Sequence, residues 1–171
     1  MDRILEVVHS VLPTTPARWL SMTQAFPYDL LTARPAPGEW SAMECLQHVL
    51  DTELVFQRRL QAFLMGEDFP AFRPDTQEAL PDPTWQPLDY AREFSRRRDK
   101  SLPELAKLTE PDLKLKARHA ELGMVTLSEM VHEWVAHDLN HTVQAERAMM
   151  QPFIKGCGPW QSYFSDHVVR S

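Results

Sequence analysis

The sequence predicts an all-α fold, a four-helix bundle with one long crossover connection and short flanking helices. Three observations carry this. Apolar residues recur at helical spacing in several long stretches. Two of those stretches open on a capping box. The chain's fourteen prolines, against five glycines, fall between the periodic stretches and punctuate them.

An opening helix is expected from about Ile4 to Leu12, ending at Pro13. A second starts at Thr15 and runs to about Ala25, with Pro16 in the first helical position, where a missing N–H is no loss. Ser41-Ala-Met-Glu44 is a capping box. The Ser41 side chain accepts from the first turn and Glu44 reaches back to the Ser41 backbone. Apolar positions then recur at Cys45, Val49, Phe56, Leu60 and Phe63, and Gly66 ends the helix. The segment from Pro70 to Pro87 (PAFRPDTQEALPDPTWQP) is a long connection, too short and too mixed to be a domain linker. A third long helix is expected over about Leu88 to Leu108, with a break in prospect at Pro103. Residues 114–119 alternate polar and apolar, which fits a short strand or an extended loop. Thr126-Leu-Ser-Glu129 is the second capping box and opens a helix to about Met150. Trp160 to Val169 is expected to form a short closing helix.

With 171 residues the chain fits one domain over 1–171. A domain of that size buries about 70% of its unfolded surface and needs no covalent staples. Its 24 acidic against 18 basic residues give a net charge of −6. That balance argues against nucleic acid as a partner, since affinity for phosphate backbones comes mostly from Lys and Arg. The Arg96–Arg97–Arg98 run, flanked by Glu93 and Asp99, reads as a solvated helix face. Cys45 and Cys157 form no Cys-x-x-Cys motif and no disulfide framework, which fits a reducing compartment. The N-terminus lacks the pattern of a signal peptide, and no apolar run approaches the roughly 20 residues needed to cross a bilayer. A cytoplasmic protein without a membrane partner is expected.

The chemistry lies in the histidines. His137 and His141 are four apart on the best-marked helix, so both rings leave one face, about 6 Å apart along the axis. That spacing lets two imidazoles converge on one cation. Met130, Trp134, His137, His141, Gln144 and Ala148 fall within about 80° of a helical wheel, so the pair shares a stripe with core-type residues. His48 flanks the apolar stripe of its own helix and is the third candidate ligand. Three neutral imidazoles with one open position match catalytic rather than structural zinc, and the same donors suit nickel, copper or iron. The competing account is plain: His-x-x-x-His arises by chance in helices, and pattern alone does not bring His48 to the other two.

The neighbours are weighed in the same way. Glu133, one turn before His137, is a candidate to orient that ring from behind, or else a solvated glutamate. Gln144 is a candidate to touch a water or substrate near the metal, against a packing role with a local hydrogen bond. Asp138 lies about 100° round the helix from His137, a poor fourth ligand that is free to hydrogen-bond another helix. Cys45 is close enough in sequence to approach the metal, although a buried lone cysteine is usually a small hydrophobe. His119 either lines a pocket mouth or sits on a surface loop, the commoner place. Arg59, about three turns beyond His48, faces either an anionic substrate group or an ion-pair partner. No side chain among these is an obvious dedicated base.

These residues carry a resemblance. GEWSAMECLQHVLDTE at 38–53, HAELGMVTLSEMVHEWVAHDLNHTVQAERAM at 119–149 and the closing GPWQSYF at 158–164 resemble the DinB/YfiT-like family of four-helix bundles, distinct from the DNA polymerase that shares part of that name. The likeness spans nearly the whole chain. Its most specific parts are Trp-Ser before a helical histidine and His-Asp-x-x-His-x-x-Gln near the end. The resemblance implies metal ligation by one histidine of the second bundle helix and two of the last, which here are His48, His137 and His141. It implies a divalent metal as cofactor (zinc, nickel, iron or manganese) without choosing among them. It also implies thiol S-transfer or hydrolysis, with a low-molecular-weight thiol or another small molecule as substrate. A homodimer through helix faces is compatible with such a bundle. The alternative is a non-catalytic bundle, its metal structural or absent, that binds a partner or small molecule.

Overall fold

The computed structural model describes residues 3–72 and 84–169, so most of the expected 70–87 connection lies outside the described residues. Helices dominate. In chain order they are α1 (Arg3–Val11), α2 (Thr14–Ala25), α3 (Tyr28–Thr32), α4 (Ala42–Met65), α5 (Pro87–Ala106) and α6 (Leu127–Gly156). A small antiparallel hairpin, β1 (Lys116–His119) and β2 (Gly123–Thr126), precedes α6. A 3₁₀ segment, Gly158–His167, closes the described chain. None of the described helices is long and apolar enough to cross a membrane.

Local chemistry sets the boundaries. Both capping boxes form as written: Ser41 accepts from the Glu44 N–H and Thr126 from the Glu129 N–H, and both glutamates return to the cap backbone. Gly66 ends α4 in the left-handed region, at φ 70°, where a side chain is strained. Pro103 does not break α5. It sits in the final turn, where the bond it removes to the Asp99 carbonyl is one of the last the helix makes. Pro152 is accommodated near the end of α6 in the same way, and that helix runs six residues beyond the expected Met150. The alternating 114–119 segment is a strand from Lys116, with Ala117 and His119 turned inward.

α4 packs against α5 and α6, and α2 packs against the same two, so α2 and α4 lie diagonally across the bundle. The link between them, through α3, therefore crosses the diagonal. α1 and α2 are one bundle helix interrupted at Pro13.

The core divides in two. One cluster joins Leu5, Val8, Phe56, Leu60, Phe63, Leu127, Val131 and Trp134; the other joins Trp19, Met22, Cys45, Val49, Phe94, Ala145 and Met149. At the level between them are the buried polar residues Thr15, Thr52, Glu53, Arg98, Ser101 and Asp138. Arg98 is the hub. Its Nη2 donates to Glu53 Oε2 and to Asp138 Oδ2, both at 2.7 Å, and its Nη1 donates to the Leu12 carbonyl at 2.9 Å. Trp134 and Ser101 also donate to Glu53, and Thr15 donates to Asp138. The expectation of a solvated face at Arg96–Arg98 is thus corrected. Arg96 is exposed and pairs with Glu93, but Arg98 is 1% exposed. It falls on the stripe Ala91, Phe94, Arg98, Ser101, Leu105, whose spacing faces the core.

Candidate metal centre

His48 projects from the first third of α4; His137 and His141 project from the middle of α6, one turn apart. Because α4 and α6 are neighbours, the three rings meet. One ring nitrogen from each lies within 4.8 Å of the other two. The Nε2 atoms of His48 and His137 are 3.0 Å apart, and the ring centroids of His48 and His137 each lie 4.5 Å from that of His141. An ion held tetrahedrally at about 2.0–2.1 Å from each nitrogen separates its ligands by about 3.3 Å, so the cluster is of the right size for one cation.

The protonation states fit as well. Burial, reinforced by His141, pushes His48 down to about 4. Burial, then His141 and His48, push His137 down to about 3. Burial also lowers His141. All three are therefore neutral near pH 7, with lone pairs to offer. His141 Nδ1 lies 2.9 Å from Gln144 Oε1, an acceptor, which puts the ring proton on Nδ1 and leaves Nε2 free to ligate. The buried Nδ1 of His137 has no hydrogen-bond partner among the described residues.

The walls are aromatic. Trp40 stacks on His141 with centroids 5.7 Å apart, and Phe56 and Phe72 meet His137 and His48 edge-on. A cavity of about 220 Å³ adjoins the cluster, lined by Thr52, Val55, Arg59, Phe72 and Glu133 as well as the histidines.

The remaining candidates sort cleanly. Gln144 touches His141, as described. Glu133 makes no hydrogen bond to His137; its carboxylate lies 3.6 Å from Arg59 and faces the cavity. Asp138 points away from the cluster into the Arg98 network, as its place on the wheel requires. Cys45 is fully buried, outside the cluster, and burial pushes its thiol up to about 12. His119 is not on a surface loop. It is 6% exposed and lies beside Arg59, which is consistent with the inward phase of its strand. Alternation over 114–119 was the signal for that placement. The Arg98 network left only the weaker signal of stripe position.

The DinB superfamily profile matches residues 12–145. YfiT from Bacillus subtilis, described as a probable metal-dependent hydrolase with an unusual four-helix bundle topology, superposes with a TM-score of 0.75 at 18% identity, over 90% of this chain and 89% of YfiT. A DinB-like protein of the same organism, YjoA, superposes with a TM-score of 0.60 at 16% identity, over 85% of this chain and 92% of YjoA. A search of curated proteins finds no match. With the profile covering most of the chain and all three histidines, the chain belongs to the DinB superfamily.

Proposed function

We propose that the protein is a divalent-metal-dependent enzyme whose ligands are His48, His137 and His141, and that its reaction is hydrolytic. The observation that carries this reading is three neutral imidazoles within 4.8 Å beside an accessible cavity, the arrangement of a catalytic rather than a closed structural site. A zinc, nickel, iron or manganese ion there would supply Lewis acidity, polarising a substrate oxygen and lowering the pKa of a water or thiol. YfiT, which shares the fold, is described as a probable metal-dependent hydrolase.

The chain's own groups complete the reading. Glu133 lines the same cavity, and burial raises its carboxyl above the usual range, partly offset by Arg59. A carboxylate with a raised pKa is a better proton acceptor than one at its ordinary value. Trp40, Phe56 and Phe72 hold the histidine rings in place and exclude water around them. Gln144 fixes the tautomer of His141.

Thiol S-transfer is the second reading. Among the described residues the cavity lining contains no cysteine or serine, and Cys45 is buried with its thiol pushed up to about 12, so a thiolate would come from a co-substrate. Metal-loaded wild type, His137→Ala and Glu133→Gln are to be assayed on ester, amide and thiol-dependent substrates. Hydrolysis predicts turnover abolished by His137→Ala and lowered roughly 10²–10⁴-fold by Glu133→Gln. Turnover that requires added thiol and tolerates Glu133→Gln would favour S-transfer. Full activity in His137→Ala would sink both, and a melting temperature lowered by chelator without any turnover would favour a structural metal.

A further inference from the structure

Beside the histidine cavity lies a second one of about 300 Å³, with Phe69, Leu122, Val125 and Met130 among its apolar walls. Arg59, Phe72 and Glu133 line both, so the two spaces share a boundary. At that boundary the hydrogen-bond donors do not balance.

His119 Nδ1 lies 3.1 Å from the backbone N–H of Glu121 and 3.2 Å from that of Leu122. A backbone N–H only donates, so Nδ1 must hold the lone pair. In a neutral imidazole the proton then sits on Nε2. Burial and the adjacent guanidinium keep the ring below its ordinary pKa, which favours that neutral form. Yet Nε2 stands 3.2 Å from Arg59 Nη2, which also only donates. Two donors meet here with no acceptor between them. Arg59 Nε is also buried and has no hydrogen-bond partner among the described residues.

Arg59 is incompletely compensated in charge as well. Its side chain is 11% exposed, and its carboxylate partner Glu133 is half-exposed and 3.6 Å away. Its other neighbours include the ring faces of Phe56 and Phe69. A buried guanidinium with an unpaired N–H is costly unless something accepts from it.

We infer that Arg59 and His119 form a carboxylate-binding subsite, which orients a small molecule with its apolar body in the 300 Å³ cavity and its reacting end toward the histidine cluster. The guanidinium fork suits a planar carboxylate. Glu121, Glu129 and Glu133 also line the cavity, and they repel a dianion such as a phosphate monoester about twice as strongly as a single carboxylate. The location of the reacting end rests on the proposed metal site; the subsite itself does not.

Calorimetric titration of phenylacetate and of its neutral isostere phenylacetamide tests this, in wild type, Arg59→Met and His137→Ala, with metal content measured on each. The acid is expected to bind wild type and His137→Ala alike, and the amide at least about ten-fold more weakly. Arg59→Met is expected to lose roughly ten- to a hundred-fold in affinity for the acid. Equal binding of acid and amide to wild type, no saturable binding of the acid, or undiminished affinity in a folded Arg59→Met would overturn the subsite. So would loss of acid binding in His137→Ala alone, which would place the anion on the metal. A metal-free wild type would overturn the proposed function and leave the acid-to-amide comparison standing.

Discussion

At His141 the two ring nitrogens do different jobs: Nδ1 donates to Gln144, and Nε2 keeps the lone pair. An outer hydrogen bond of this kind orients a ligand and raises its basicity, and its loss typically weakens metal affinity 10–100-fold. Gln144→Ala is therefore expected to lose affinity in that range in chelator competition, with little change in urea midpoint, because Gln144 is only partly buried. An unchanged affinity would make Gln144 a packing residue. Arg98 behaves differently. It compensates two carboxylates in a region closed to water, and burial raises Asp138 even with Arg98 in place. Removing one partner from a buried ion pair costs about 3–5 kcal/mol. Arg98→Met is expected to lose stability by that amount in urea unfolding, whereas Arg96→Met, on the exposed side of α5, is expected to leave the urea midpoint nearly unchanged.

At the scale of elements, Ser41→Ala removes the acceptor for the Glu44 N–H and is expected to cost about 1 kcal/mol. Because Ser41 opens the helix that carries His48, it is also expected to loosen the cluster, which metal affinity would read. The helices were legible in the sequence wherever a boundary rested on chemistry within one turn. The two capping boxes, Gly66 and the break at Pro13 needed no tertiary information. The histidine cluster was legible only in halves. His137 and His141 follow from one helix's geometry, but bringing His48 to them depends on α4 lying beside α6, which no local pattern encodes. The same limit hid the diagonal placement of α2 and α4 and the contact between Arg59 and His119. Pro103 was misleading for the opposite reason, since a rule for helix interiors was applied where the helix was about to end.

At the scale of the whole molecule, the two hydrophobic clusters flank a polar level that holds the Arg98 network, with the histidine site beside it on α4 and α6. Asp138 and His137 are adjacent in sequence and about 100° apart on α6, so one serves the network and the other the cluster. This arrangement makes stability sensitive to acid. His48 and His137 have an ordinary pKa of 6.5 and are held at about 4 and about 3 in the folded chain, so below pH 6.5 the unfolded state binds more protons. Stability of the metal-free protein is then lost as pH falls from about 6.5 toward 4. Asp51, raised from 3.8 to about 6 by burial, acts in the opposite direction over part of that window, but through a smaller shift than the two histidines combined. Comparing urea midpoints at pH 7.5 and 5 in wild type and in the His48→Asn, His137→Asn, His141→Asn variant isolates the effect, because Asp51 is common to both. Wild type is expected to lose clearly more stability on acidification; equal losses would contradict the burial of the rings.

The central claim is that His48, His137 and His141 bind one divalent ion, and metal content reads it most directly. Mass spectrometry on protein purified without a histidine tag is expected to find about one equivalent of zinc, nickel, iron or manganese, absent from the variant lacking all three histidines. Wild-type protein that remains metal-free after reconstitution, or a variant that retains the metal, would contradict it.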